Sequence, residues 1–155
     1  MVDYTRCYHH GVRVPNLELA MKEMGDALGV TWCEPQNRAQ AVWLPGVGET
    51  SIQLRFTYSA QGPQHIELLE GAPGSIWDGR TTPGVHHIGV WSDDVAGETQ
   101  SLIDEGWTLL MGQRGPADGF GAFTYVQPPS GLIVELVWSV LEPMFGRWFA
   151  GGPLA

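Results

Sequence analysis

The chain repeats itself, and that repeat limits what it can fold into more than any other feature. Residues 9 to 17 read His-His-Gly-Val-Arg-Val-Pro-Asn-Leu, and residues 87 to 95 read His-Ile-Gly-Val-Trp-Ser-Asp-Asp-Val. In both, a histidine is followed two residues on by Gly-Val and then by a turn with a helix-capping residue. Two segments with the same local preferences should build the same unit twice. After each opening the pattern turns helical. Asn16 is a plausible N-cap, Leu17, Met21, Met24 and Leu28 form an apolar stripe, and Gly29 ends it. In the second copy Asp93 or Asp94 caps, Val95, Leu102 and Ile103 supply the stripe, and Gly106 ends it.

Beyond each helix the period changes to two. Strands are predicted at about 39–45, 50–58 and 64–70 in the first copy, and at about 107–112, 122–127 and 131–138 in the second. The copies also close alike, on Ile66-Glu67-Leu68-Leu69 and Val134-Glu135-Leu136-Val137. The organisation expected is a βαβββ module over 1–71, a Gly/Pro-rich linker or lid over 72–84, a second βαβββ module over 85–141, and a tail over 142–155. The whole would form one compact domain. Phe145, Trp148 and Phe149 fall at helical spacing, so the tail should be a short helix over an open sheet edge or a partner subunit.

Strand alternation then selects a set of ligands. Val12 and Val14 should pack on the helix, which turns His9, Gly11 and Arg13 to the other face. By the same rule His87 and Glu135 face away in the second copy, as do His65 and Glu67 in the first. A carboxylate between apolar neighbours in mid-strand is costly unless paired, protonated or bound to a cation. Two histidines and two glutamates at matching parity in matching modules therefore point to one divalent ion held by His9, Glu67, His87 and Glu135. Zn²⁺, Co²⁺, Ni²⁺, Fe²⁺ and Mn²⁺ all suit such donors. His10 and His86 have the opposite parity. His65 has the right one, and reads as a group behind the ligands or a proton shuttle, against the plainer reading of an ordinary polar residue.

Charge narrows the function classes. Eight basic residues stand against 17 acidic ones, a formal net charge of -9, and Lys22 is the only lysine. A nucleic-acid partner needs a basic footprint that this chain lacks. Cys7 and Cys33 form no CxxC pair and read as small buried hydrophobes. No run is long enough to span a membrane and no signal pattern opens the chain, so a cytoplasmic protein is expected.

These segments resemble the vicinal oxygen chelate superfamily, in particular its glyoxalase and methylmalonyl-CoA epimerase-like branch. The likeness is carried by His9-His10-Gly11-Val12 through Pro15-Asn16-Leu17, Ile66-Glu67-Leu68-Leu69-Glu70, Val85-His86-His87-Ile88-Gly89-Val90, and Gly131-Leu132-Ile133-Val134-Glu135-Leu136. It implies an α+β fold in which two tandem βαβββ modules form a curved mixed sheet around a central metal-binding cavity. It also implies the same four ligands. The activity implied is a metal-dependent isomerase, epimerase or lyase that moves a proton next to a carbonyl, with Glu67 or Glu135 as base and His65 as a further catalytic candidate.

Gln53 and Arg55, opposite in parity to Ile52, Leu54 and Phe56, are candidate substrate contacts, together with Trp91 and Tyr125. The substrate expected is a small oxygenated molecule of apolar or aromatic character, and the aromatic tail could support a homodimer. Two other readings remain within the fold. One is an extradiol dioxygenase, using two histidines and one carboxylate on Fe²⁺. The other is a non-catalytic protein that binds aromatic ligands or antibiotics.

Overall fold

The computed structural model describes residues 1–155. Eight strands run β1 Cys7–Arg13, β2 Gln36–Leu44, β3 Gly48–Tyr58, β4 His65–Gly71, β5 Gly84–Ser92, β6 Thr108–Gly112, β7 Phe123–Gln127 and β8 Val134–Trp138. Three helices accompany them, α1 Leu17–Leu28, α2 Val95–Asp104 and α3 Glu142–Phe149. The strands make one curved sheet in the order β1-β4-β3-β2-β6-β7-β8-β5, closing on itself, so the α+β class and the twice-repeated βαβββ order both hold. No helix is long and apolar enough to cross a membrane.

By internal contacts the chain falls into two units. One comprises Tyr8–Gln40, Ile52–His86 and Pro143–Ala155; the other comprises Met1–Cys7, Ala41–Ser51 and His87–Glu142. The sequence boundaries run differently. The Ala41–Ser51 segment joins the unit of the second copy, and the tail joins the unit of the first.

In the first unit β1 lies parallel to β4, with His9 opposite His65 and Gly11 opposite Glu67. β3 runs antiparallel to β4, with Phe56 opposite Leu69 and Tyr58 opposite Glu67. α1 begins where the Asn16 side chain accepts the Leu19 N–H and ends at Gly29 in the left-handed region, as the sequence predicts. Leu17 and Ala20 of this helix pack with Val14 and Leu68, flanked by Val12, Met21, Met24 and Ile66. Leu28, expected in the stripe, is 62% exposed, and Ala20 provides the close contact instead.

The segment from 72 to 83 is an ordered loop of this unit. Trp77 is buried, and its carbonyl accepts the Gly71 N–H. The Asp78 carboxylate receives the Gly74 N–H and the Arg80 side chain, and Arg80 with these bonds lowers its pKa to about 2. The Arg13 guanidinium donates to the Ile76 carbonyl.

In the second unit β5 is parallel to β8 with Gly89 opposite Glu135, and β7 is antiparallel to β8 with Tyr125 opposite Glu135. α2 starts at Asp94, whose carboxylate accepts the Gly97 N–H. Its core joins Cys7, Val90, Val95, Val126, Val134 and Leu136, with Ile88, Leu102 and Trp107 packed against them.

Leu68 sits wholly buried beneath α1. Leu68→Ala should cost about 2–5 kcal/mol in urea unfolding, since the cavity adds to the lost burial. Removing the cap with Asn16→Ala should cost about 1 kcal/mol in the same measurement.

Candidate metal centre

Val14 and Leu68 in the first unit and Val90, Val134 and Leu136 in the second pack with the helices, and the candidate ligands lie on the other face of these strands. In the first unit the strand registers put His9, Glu67 and Tyr58 on that second face, with Leu69 and Phe56 in the next row. His9 is 0% exposed and Glu67 7%. The His9 Nε2 lies 3.2 Å from Glu67 Oε2.

The second unit builds the same pair. His87 is 1% exposed, and its Nε2 lies 3.1 Å from Glu135 Oε2. Tyr125, opposite Glu135 in the register, brings its ring centroid within 4.7 Å of the His87 ring. Trp91 is buried opposite Val137, two residues from Gly89, and shares the side of His87 by alternation.

Each of His9, Glu67, His87 and Glu135 offers one ligand atom, and these atoms lie within 4.8 Å of one another. Ligands bound to one ion at roughly 2.0–2.2 Å can be no more than about 4.4 Å apart, so a small contraction would suffice. The donor set fits as well. Two carboxylates out of water cost several kcal/mol each unless positive charge offsets them, and a divalent cation supplies it. This His/Glu cluster could hold such an ion.

The other expected site residues divide. Gln53 is exposed and donates to Asn37, while Arg55 pairs with Glu70 of β4 and Glu18 of α1. Both lie on the α1 side of β3, on the face away from Glu67. Their expected role as substrate contacts assumed that the apolar residues of β3 pack on the helix. On β3 the Gln53 and Arg55 face is largely exposed, while Leu54, Phe56 and Tyr58 are buried on the side of Glu67.

His65 lies opposite His9, but its Nδ1 is 2.7 Å from the Ser59 carbonyl, to which it donates. Its Nε2 abuts Gly62, where an added Cβ would come within 2.6 Å. Burial holds its pKa below the usual value, so the ring is neutral at pH 7, and it stacks on Phe149 at 3.7 Å. That geometry anchors α3 to β4.

Sequence reasoning missed the aromatic surround. The Tyr58 ring lies 5.1 Å from that of His9 and is also reached by Tyr8. Tyr8 and His9 are chain neighbours, so strict alternation fails at this point of β1. The tail covers no open edge: α3 lays Phe145, Trp148 and Phe149 on Tyr8, Phe56, Tyr58 and His65. Trp148 is wholly buried, and its indole N–H has no hydrogen-bond partner, a state that costs roughly 1–3 kcal/mol.

Residues 8–125 match the family described as the Glyoxalase/Bleomycin resistance protein/Dioxygenase superfamily. No curated protein sequence matches the chain. Among solved structures it is similar to a Streptomyces coelicolor methylmalonyl-CoA epimerase variant in complex with 2-nitronate-propionyl-CoA. That likeness has a TM-score of 0.59 at 21% identity, covering 86% of this chain and 93% of the other. A methylmalonyl-CoA epimerase from Mycobacterium tuberculosis gives 0.57 at 19% identity, covering 89% and 92%. A mutant 4-hydroxymandelate synthase from Streptomyces coelicolor gives 0.55 at 16%, covering 85% of this chain and 48% of the synthase. At these identities the structural likeness is one of fold. The sequence match spans most of the chain, and with the repeated strands it shows that the chain belongs to the glyoxalase/bleomycin resistance protein/dioxygenase superfamily, the vicinal oxygen chelate proteins.

Proposed function

We propose that this protein is a divalent-metal-dependent isomerase, epimerase or lyase that moves a proton next to a carbonyl of a small oxygenated substrate. His9, Glu67, His87 and Glu135 are the ligands of the ion. The observation that carries this reading is the pair of buried His–Glu contacts, alike in atoms and spacing at 3.2 and 3.1 Å. When bound, the ion would supply Lewis-acid polarisation of a substrate oxygen, which lowers the cost of removing an α-proton.

The chain's own groups do the rest. Glu67 and Glu135 are the two carboxylates within reach of such an oxygen, and one of them takes the proton. Tyr125, ring to ring with His87, can donate a hydrogen bond to the substrate, and Trp91 narrows the same side. Methylmalonyl-CoA epimerases among the similar folds support the epimerase branch of this reading.

Purified protein should carry about one divalent ion per chain by mass spectrometry, and His87→Ala and Glu135→Ala should each lose it. Metal at wild-type level in both variants would sink the site. Chelator should lower the melting temperature, because an ion bound only by the folded chain stabilises it.

In deuterated water a true substrate should exchange its α-proton. Glu67→Gln or Glu135→Gln, whichever removes the base, should slow exchange by about 10²–10⁴-fold at a metal occupancy restored with excess ion. Arg55→Ala, on the far face, should leave exchange unchanged and cost no more than about 1 kcal/mol of stability. A large loss of exchange in that variant would return Arg55 to the site.

A further inference from the structure

Helix α2 has a side that the metal centre does not use. Glu98, Ser101, Leu102 and Glu105 recur at helical spacing, so their side chains share one face. That face is one wall of a cavity of about 490 Å³, floored by Trp107 and Val134. The floor is apolar because it is the margin of a core: Leu102 and Trp107 pack on the buried cluster that includes Val134 and Leu136. The Trp107 backbone N–H donates to the Leu102 carbonyl at 3.0 Å, which holds the half-buried indole against the end of α2.

The side chains at the rim carry charge of one sign. Glu98 and Glu105 line the cavity, and no lysine, arginine or histidine does. The Glu98 side chain is 19% exposed, and the Ser92 hydroxyl donates to its Oε2 at 2.5 Å. The Met1 amino group, on a fully exposed residue, stands 4.0 Å from Glu98 Oε1, so an ammonium is accommodated at this rim. Glu105 is exposed and caps the C-terminal end of α2, whose last turn has no basic residue. A carboxylate at the negative end of a helix dipole is unfavourably placed until a cation joins it. An indole face beside it attracts the same cation.

We propose that this cavity is a binding site for a lipophilic amine, taken up as its ammonium ion. The apolar body lies on Leu102, Trp107 and Val134, and the ammonium group sits at Glu105. The site is separate from the metal centre, because Val134 turns to the cavity while Glu135, next in β8, pairs with His87 on the other face. The inference therefore stands or falls apart from the proposed reaction.

The probes are 2-phenylethylamine, 2-phenylethanol and 3-phenylpropanoate, alike in their ring and close in length but different in charge at neutral pH. They are titrated into the full chain, isotope-labelled at tryptophan, while the Trp107 indole resonance is followed by NMR and assigned with Trp107→Phe. The amine should move that resonance and bind at least about fivefold more tightly than the alcohol, and the carboxylate should not bind. Glu105→Gln, at an exposed position, should weaken the amine about threefold and leave the alcohol unchanged. Raising the ionic strength of the wild type should do the same, a readout that needs no variant. Chelation of bound metal should leave amine binding as it was.

Equal affinity for amine and alcohol, or a Trp107 resonance that stays put throughout the amine titration, overturns the proposal. So does a Glu105→Gln variant that keeps the full preference. Loss of amine binding on chelation also overturns it, since the amine would then be on the metal.

Discussion

The structure turns on a carboxylate that should not be where it is. Glu67 and Glu135 each sit in a short strand between apolar neighbours, with most of their surface removed from water. Each has a histidine Nε2 at hydrogen-bonding distance. An imidazole alone is a weak answer to a buried anion, since it is neutral at pH 7 unless its surroundings hold a proton on it. A divalent cation is a stronger one. The parallel pairings β1–β4 and β5–β8 follow from the same need, because they put the histidine of an opening strand beside the glutamate of a closing one.

Much of this could be read from the sequence, for a physical reason. A repeat doubles every weak signal: one His-x-Gly-Val is noise, but two, each closed by an apolar-Glu-apolar strand, are a pattern. The helix caps Asn16 and Asp94 and the stop at Gly29 were legible because capping is local chemistry. The strand order is not local, and no stretch of the sequence carries it.

What escaped the sequence was the question of which face is dry. Reading β3 as apolar toward the helix and polar toward the ligands put Arg55 on the wrong side. Its true partners, Glu18 and Glu70, lie 37 and 15 residues away in the chain and give no local sign. The aromatic tail was recognised as a helix, but nothing in its spacing told where it would dock. His65 had the expected parity, but the loop from Ser59 that holds its ring is fixed by bonds of Ser59, Gln61 and Thr31 that strand alternation does not foretell.

The two parallel pairings set an order in time. His9 finds its glutamate only after 58 further residues, and His87 waits 48 for its own. Contacts of such separation form late and at high entropic cost, after the local helices have had their chance. A nascent chain emerging from the ribosome would therefore hold two of the four candidate ligands from about residue 67, a third from residue 87 and the fourth only once β8 had been made. A chain stopped short of Glu135 would offer at most three of the four candidate ligands, so the complete set waits on the last strand of the sheet.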